Sequence, residues 1–236
     1  MASMLVTGAS RGLGLEMVRQ FGADGWRIYA CCRSPDTATE LAALAAQSSG
    51  AVSVHTLDVG KPQQIEALAA ALRGTAIDML VNNAGLLGHK IDEQAAGAFG
   101  TIDYENWMEV HTINTMAPLR VTEAFVDHVA ASEMKLMFFM STHMGSITDL
   151  ADGGFYPYRS SKAALNLVVK ALSIDLAARG VRTLAVHPGW VSTDMGSPAA
   201  PVTPPQSVAG IRQVVAGYGA GQTGRFYQYD GKELPW

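Results

Sequence analysis

The chain has 236 residues, of which 48% are hydrophobic and 16% are charged, and its formal net charge is −4 at pH 7. This length is typical of one domain, and the acidic balance leaves no basic excess that would neutralise the phosphates of a nucleic acid. No apolar run is long enough to span a membrane, and the N-terminal residues show neither the basic region nor the cleavage pattern of a signal peptide.

Short apolar runs alternate with helical spacing along the chain. The apolar runs SMLVTG, WRIYACC, AVSVHTL, AIDMLVNN, KLMFFMS and VRTLAVHP predict buried strands. Helical spacing predicts helices at Leu13–Ala23, Thr37–Gln47, Pro62–Leu72, Tyr104–Ala131 and Tyr156–Arg179. This alternation predicts an α/β fold, a doubly wound parallel sheet of the Rossmann type in three layers, with residues 1–236 forming one domain. We interpret the proline-rich segment Ser197–Pro205 as a loop.

The first predicted strand is followed by a glycine-rich turn, TGASRGLG, in which Gly8, Gly12 and Gly14 are spaced G-x-x-x-G-x-G. Such a turn between a strand and a helix lets the backbone approach a pyrophosphate, and the helix N-terminus then offers unpaired N–H groups. The spacing differs from G-x-G-x-x-G, and a plain glycine turn is the alternative interpretation. The strand–helix context favours a dinucleotide site.

The second predicted strand ends in Cys31, Cys32 and Arg33. An acidic residue at this strand end would hold the ribose 2′-hydroxyl of NAD, and none occurs there. The guanidinium groups of Arg11 and Arg33 suit a 2′-phosphate, so NADP(H) is favoured over NAD(H). The alternatives are two solvated arginines, or a one-turn shift that brings Asp36 to the ribose. A bridge between adjacent cysteines would be strained, which favours a reducing, cytoplasmic setting.

Tyr158 and Lys162 lie four residues apart in FYPYRSSKAALN, so a helix places them on one face. A phenol has an ordinary pKa of about 10, which makes it a poor acid–base catalyst near neutrality. A nearby ammonium favours the phenolate and brings the pKa closer to neutrality. Tyr158 would then act as a general acid in one direction of a reaction and as a general base in the other. The alternative is a tyrosine packed on a lysine stem.

Four further motifs follow in chain order: NNAG at Asn82–Gly85, Ile113–Asn114, MSTHMG after the fifth strand and HPGWVSTDM after the sixth. Together with the glycine turn and YRSSK, they resemble the short-chain dehydrogenase/reductase family over nearly the whole chain, closest to its small carbonyl-reductase branch of sniffer and C-factor-like proteins. The resemblance implies an NAD(P)-dependent oxidoreductase in which Tyr158 is the general acid in carbonyl reduction and the base in oxidation. It also implies that Lys162 bonds the nicotinamide ribose. It implies that Asn114 holds a water that passes protons to Lys162, whereas a helix-interior asparagine bonded to backbone is the alternative.

The same resemblance assigns residues to the cofactor. Asp58 resembles the acid that contacts the adenine, and a turn residue at a strand end is its alternative. The cofactor-binding candidates are Gly8, Ser10, Arg11, Gly12, Leu13, Gly14, Arg33, Asp58, Val59, Asn83, Ala84, Gly85, Tyr158, Lys162, Pro188, Gly189, Val191 and Thr193. Neither His nor Cys residues show the spacing of metal ligands, so no metal is expected.

The family usually presents a serine hydroxyl just after the fifth strand, three residues before a glycine, to hold the substrate oxygen. Counting back from Gly145 gives Thr142, with Ser141 immediately before it. Adjacent strand residues point to opposite faces, so only one of the two can face Tyr158. We predict that Thr142 supplies the hydroxyl, and Ser141 is the alternative if the strand end twists or bulges.

The loops after the carboxyl ends of the strands are expected to form the substrate site. Most of their candidate residues are apolar or aromatic: Leu86, Leu87, His143, Met144, Phe155, Tyr156, Trp190 and Met195. They indicate a small apolar or aromatic carbonyl compound or alcohol as the substrate. The alternative function is a dinucleotide-binding sensor or signalling protein with incidental turnover. The intact Tyr158–Lys162 pair favours an enzyme, because a sensor needs only the cofactor site.

The two longest predicted helices carry apolar positions that include Leu165, Val168, Val169 and Leu172. Related proteins often pair these helices across a two-fold axis, so a homodimer or homotetramer is expected. Neither a nucleic acid nor a membrane is expected as a partner.

Overall fold

The computed structural model describes residues 1–88 and 97–236. Within them, seven strands form one sheet: β1 (Ser3–Thr7), β2 (Arg27–Cys32), β3 (Val52–Thr56), β4 (Met79–Asn82), β5 (Leu136–Met140), β6 (Arg182–His187) and β7 (Arg225–Gln228). Their order across the sheet is β3-β2-β1-β4-β5-β6-β7, and these strands pair in parallel. Strands β2 and β3 lie on one side of β1, and β4 to β7 lie on the other, so the strand order has its topological switch point between β1 and β4. Such a switch point opens a crevice at the carboxyl ends of the strands.

Helices cover both faces of this sheet, which confirms the predicted doubly wound fold. The α-helices of the described residues are α1 (Gly12–Ala23), α2 (Thr39–Gln47), α3 (Pro62–Ala71), α4 (Tyr104–His111), α5 (Ala117–Ala130), α6 (Tyr156–Asp175) and α7 (Pro204–Gly217). Helices α1, α2 and α7 pack on one face, and α3, α5 and α6 pack on the other. Because each central strand is buried on both sides, its sequence reads as a continuous apolar run.

The predicted helix at Tyr104–Ala131 is two helices in the structure. A π-helical turn, Thr112–Met116, joins α4 to α5, and Pro118 lies in the first turn of α5. Proline has no N–H to donate to the carbonyl of the residue four positions earlier, which here is Asn114. The interruption therefore falls on a predicted site residue.

The interpretation of Ser197–Pro205 as a loop is wrong at its end. Pro204 and Pro205 open α7, and Thr203 forms a capping box with Gln206 before it. Prolines are tolerated in the first turn because those N–H groups have no partner in the helix. Among the described residues, no helix combines the length and the apolarity that crossing a membrane requires.

Candidate active site

The turn after β1 has the geometry that its glycines predict. Gly8 and Gly12 have φ values of +69° and +56°, which side chains rarely tolerate. A Cβ atom on Gly14 would overlap the carbonyl oxygen of Gly8, because α1 starts so close to β1. The N-cap residue of α1, Arg11, makes no side-chain capping hydrogen bond. An uncapped helix N-terminus beside a cradle without side chains fits the pyrophosphate of a dinucleotide.

Thr7 ties this turn to the loop after β4. Its hydroxyl accepts hydrogen bonds of 3.0 Å from the N–H groups of both Asn83 and Ala84. The Asn83 amide donates in return to the carbonyl oxygens of Thr7 at 2.9 Å and of Gly8 at 3.2 Å. The structure thus brings the NNAG motif onto the glycine turn. Sequence reasoning missed Thr7, and the available signal was its place directly before Gly8.

Arg11 and Arg33 line one cleft beside the glycine turn. The cleft has a volume of about 400 Å³ and is lined by Ser10, Arg11, Arg33, Ser34, Thr37, Ala38, Thr39 and Glu40. Two guanidinium groups and several hydroxyls in one cleft suit a phosphate. Asp36 does not line the cleft, although it lies in the adjacent turn Pro35–Thr37.

Asp58 lies at the turn after β3. One carboxylate oxygen accepts from the N–H of Gly60 at 3.0 Å, and the other lies 4.0 Å from the ammonium of Lys61. The side chain of the next residue, Val59, packs partly against the core. These contacts are those of a turn residue, and they leave the Asp58 carboxylate partly exposed, with 28% of its side-chain surface accessible.

The loop after β6 returns to the glycine turn. A Cβ atom on Gly12 would lie 3.6 Å from a methyl group of Thr193, and Asp194 forms an exposed ion pair of 3.0 Å with Arg11. Val191 is buried and forms a β-bridge with Val202, which fixes the start of this loop. Three further cofactor candidates have structural contacts of their own. Leu13 on α1 packs partly on the core. After β6, the carbonyl of Pro188 accepts a hydrogen bond from the Ser207 hydroxyl, and Gly189 has a φ of +84°.

Tyr158 and Lys162 are both buried on α6. The Lys162 Nζ lies 5.9 Å from the centre of the Tyr158 ring and donates a 2.8 Å hydrogen bond to the carbonyl of Met140, at the end of β5. Burial raises the pKa of Tyr158 to about 12, and a hydrogen bond with the Thr142 hydroxyl acts in the opposite direction. Burial also lowers the pKa of Lys162 to about 8.

The expectation that Lys162 lowers the pKa of Tyr158 is therefore wrong, because the pKa of the buried phenol is raised. The Lys162 ammonium is directed to a backbone carbonyl, and desolvation of the phenolate outweighs the other influences on the phenol.

The structure separates the two hydroxyls after β5. The Thr142 hydroxyl lies near the phenol of Tyr158 and also accepts a 3.2 Å hydrogen bond from the N–H of Met144. The Ser141 hydroxyl instead donates to the Asn166 side chain at 2.6 Å. Asn166, which sequence reasoning missed, holds the same loop a second time because its amide donates to the carbonyl of Gly145 at 3.2 Å.

Asn114 is fully buried, and its side chain joins three parts of the site. Its oxygen accepts from the N–H of Leu86 at 2.7 Å, and its amide donates to the carbonyl of Leu86 at 2.7 Å and to Ser161 Oγ at 3.0 Å. A Cβ atom on Gly85 would lie 3.4 Å from the Asn114 oxygen and 3.7 Å from the Lys162 Nζ. The hydrogen bonds of Asn114 therefore join Leu86, in the loop after β4, to Ser161 on α6. They hold this loop beside Lys162.

The substrate candidates are divided between the rim and the interior. Leu86, Leu87, Met144 and Phe155 are partly buried, whereas His143, Tyr156, Trp190 and Met195 are exposed. The His143 ring makes a 2.9 Å contact with Asp149 in its own loop. Ile147 and Leu150, which sequence reasoning missed, add exposed apolar surface to that loop. In the part of the chain that the structure describes, no group of His, Cys, Asp or Glu side chains could hold a metal ion.

The chain is similar to known dehydrogenases and reductases. A family model described as short chain dehydrogenase matches residues 2–202. The C-signal of Myxococcus xanthus is 41% identical over 160 residues, which cover 68% of this chain and 93% of that protein. The 1-hydroxy-2-glutathionyl-2-methyl-3-butene dehydrogenase of Rhodococcus sp. strain AD45 is 32% identical over 242 residues and covers 100% of both chains.

Two solved structures share the fold along the whole chain. The NADPH-bound carbonyl reductase from chicken fatty liver has a TM-score of 0.90 and 33% identity, covering 100% of this chain and 99% of that one. The carbonyl reductase Sniffer of D. melanogaster has a TM-score of 0.90 and 30% identity, covering 100% of both.

Proposed function

Because the chain belongs to the short-chain dehydrogenase family, we propose that it reduces small apolar or aromatic carbonyl compounds with NADPH, with Tyr158 as the proton donor. Membership makes it an NAD(P)-dependent oxidoreductase and confirms the resemblance found in its motifs. The observation that carries the finer proposal is the buried Tyr158–Lys162 pair, with the Thr142 hydroxyl beside the phenol.

When bound, the nicotinamide cofactor supplies the hydride. Tyr158 gives its proton to the substrate oxygen, and a phenol with a pKa of about 12 is fully protonated at neutral pH, as a donor must be. The Lys162 ammonium, 5.9 Å from the centre of the Tyr158 ring, is the positive charge next to the phenolate that this transfer leaves behind, although burial still keeps the pKa of the phenol high. Thr142 donates a second hydrogen bond to the substrate oxygen and keeps the carbonyl near Tyr158.

The cofactor preference is argued from the cleft that holds both Arg11 and Arg33. A 2′-phosphate would replace part of the exposed Arg11–Asp194 ion pair, which solvent already weakens. NADPH should therefore bind at least about tenfold more tightly than NADH, equivalent to about 1.4 kcal/mol. The supporting precedent is the NADPH in the chicken carbonyl reductase.

Fluorescence titration of the protein and its Arg33→Ala variant with both dinucleotides tests this preference. The variant should lose most of the ratio of the two dissociation constants while NADH binding stays unchanged. Equal constants in the unaltered protein, or an unchanged ratio in the variant, would refute the assignment.

The substrate class is argued from the rim of the site. Ile147, Leu150, Trp190 and Met195 are at least 40% exposed and lie in the loops after β5 and β6. Exposed apolar side chains around a crevice favour an apolar ligand over a charged one. Following NADPH absorbance over a panel of aldehydes, ketones and quinones tests this, and we expect turnover with aromatic members.

A second candidate function is favoured by one comparison, the 41% identity to a protein named C-signal. In this alternative, the chain binds a dinucleotide to control contact with a partner, and turnover is incidental. Tight NADPH binding without turnover of any carbonyl compound would favour the signalling role over the reductase.

A further inference from the structure

We infer that the segment Leu234–Trp236 is a positioning element for the active-site loop Thr142–Asp149. The inference rests on the proposed function, because it assigns the Thr142 hydroxyl to the chemistry. The segment lies more than 80 residues from this loop along the chain, and contacts its far side.

The segment is anchored on β7. The N–H of Leu234 donates to the carbonyl of Phe226 at 2.8 Å, and the N–H of Gln228 donates to the carbonyl of Lys232 at 2.8 Å. The Leu234 side chain is buried, and the Trp236 ring stacks on Phe226 with centroids 5.6 Å apart and an interplanar angle of 18°. Because Phe226 is itself a core residue, the segment has a rigid support.

The anchored segment presents one acceptor to the loop. The main-chain oxygen of Trp236 accepts from Ser146 Oγ at 3.2 Å, from Thr148 Oγ1 at 2.9 Å and from the N–H of Thr148 at 3.2 Å. Ser146 Oγ also accepts from the N–H of Asp149 at 3.2 Å. One oxygen therefore holds the second half of the loop, residues 146–149, through its hydrogen bonds to Ser146 and Thr148, although residues 147–149 are exposed.

The first half of the loop is held from α6. Gly145 packs against Lys162 so closely that a Cβ atom would lie 2.9 Å from the backbone of that residue, and its carbonyl accepts from Asn166. The N–H of Gly145 donates to the carbonyl of Thr142 at 2.9 Å. Thr142 therefore lies in a turn that α6 clamps on one side and Trp236 on the other.

The chemical consequence follows from the sensitivity of proton transfer to geometry. If the second half of the loop is released, the turn that ends in Ser146 loosens, and the Thr142 hydroxyl spends less time beside the phenol of Tyr158. Small misplacements of a reacting or orienting group cost much of its contribution to the rate. The cofactor cleft is lined by residues that follow β1 and β2, and in the described part of the chain no hydrogen bond joins these residues to Leu234–Trp236, so cofactor affinity should not change.

The test uses the full chain with paired variants. Ser146→Ala combined with Thr148→Val removes both side-chain donors to Trp236, and Trp236→Ala removes the stack on Phe226. Trp236→Phe keeps an aromatic ring that can stack on Phe226, so it should restore what Trp236→Ala loses. The matched control is Ser173→Ala, because among the described residues that hydroxyl bonds only the carbonyl of Lys170 in its own helix.

Three measurements are made on each variant: hydrogen exchange of the amides of residues 143–149, the NMR signal of the Thr142 methyl group, and steady-state kinetics. We expect amide exchange about tenfold faster, a shifted or broadened Thr142 methyl signal, and kcat about tenfold lower in the double variant and in Trp236→Ala. The KM for NADPH should stay within about twofold, and Trp236→Phe and Ser173→Ala should match the unaltered protein.

Unchanged amide exchange together with an unchanged Thr142 methyl signal would overturn the inference. A perturbed loop with normal kcat would overturn the link between the segment and catalysis. If the unaltered protein reduces no carbonyl compound, the proposed function fails, while amide exchange and the methyl signal still decide whether Trp236 positions Thr142.

Discussion

Burial moves the pKa values of Tyr158 and Lys162 in opposite directions, because desolvation disfavours the charged form of each group. At pH 7 a phenol with a pKa of about 12 is neutral, and an amine with a pKa of about 8 is mostly cationic. A neutral donor beside a cation is the pair that carbonyl reduction needs. Oxidation of an alcohol needs the phenolate, and the fraction of phenolate rises with pH. Below pH 8, where Lys162 is mostly cationic, the rate of oxidation should therefore rise with pH while the rate of reduction stays constant.

The contribution of Thr142 is separable from that of Ser141 by mutation. Thr142→Ala should lower kcat/KM by about tenfold or more, because one of the two donors to the substrate oxygen is lost. Thr142→Ser should retain most activity, since the hydroxyl is kept. Ser141→Ala removes a buried bond to Asn166 and should lower the melting temperature more than the rate.

Steady-state kinetics and thermal unfolding of the three variants provide the measurement. If Ser141→Ala is the slow variant and Thr142→Ala is nearly normal, the catalytic hydroxyl belongs to Ser141.

The site residues that could be predicted from the sequence are those whose role depends on residues a few positions away. Tyr158 and Lys162 lie four residues apart on one helix, and the three glycines fall within eight consecutive residues, so both patterns are visible in the sequence. Thr7 and Asn166 were missed because their functions lie in bonds to distant residues: Thr7 bonds Asn83, 76 positions away, and Asn166 bonds Ser141, 25 positions away. The hydrophobic periodicity of a sequence does not indicate hydrogen bonds between residues that are so far apart along the chain.

At the scale of elements, six predicted strands coincide with β1 to β6. Most of these are continuous apolar runs because they are buried on both faces, whereas the edge strand β3 alternates apolar and polar residues. The edge strand β7 was missed, and its pattern explains this: only Phe226 of its four residues is buried. The break between α4 and α5 was missed because Pro118 was read within a longer helical pattern. Helix spacing survives such a break, so periodicity alone does not detect it.

The junction of β1 and α1 provides a test of the glycine turn as an element. Gly14→Ala places a Cβ atom against the Gly8 carbonyl, so the first turn of α1 must move away from β1. We expect about 1–3 kcal/mol of destabilisation from this overpacking and at least about tenfold weaker NADPH binding.

The matched control is Gly217→Ala in the last turn of α7, where a Cβ atom would meet nothing within 4 Å. It should bind NADPH normally and be no less stable than the unaltered protein. Denaturant unfolding and NADPH titration measure both variants, and normal NADPH affinity in Gly14→Ala would contradict the proposed role of this turn.

At the scale of the whole molecule, one sheet includes strands from Ser3 to Gln228, which supports the proposal of a single domain over residues 1–236. The apolar positions of α6 that the sequence suggested for assembly turn out to be internal. Leu165, Val169 and Leu172 are buried in the chain's own core, and Val168 packs against it. Their spacing is the stripe that a helix presents to a sheet.

Assembly, if it uses α4 and α6, must therefore use other side chains. Leu167 and Ile174 on α6 are 70% and 68% exposed, and Tyr104 and Met108 on α4 are 68% and 73% exposed. We predict a homodimer at micromolar concentration that the double variant Leu167→Lys/Ile174→Lys converts to a monomer, because it buries charge in the interface.

Light scattering measures this assembly, with Ala43→Lys/Ala46→Lys on α2 as a control of equal charge. A monomer of 25.0 kDa before any substitution would refute the prediction.

The measurement that tests the central claim most directly compares Tyr158→Phe with the unaltered protein in NADPH oxidation, using an aromatic aldehyde or ketone that the panel identifies. The substitution removes one hydroxyl from a buried ring and should leave NADPH affinity within about twofold. Because general acids typically contribute about 10²–10⁴-fold, kcat should fall by at least about a hundredfold. A loss of less than about tenfold in kcat, with NADPH still bound, would show that the proton comes from another group and that Tyr158 is not the acid.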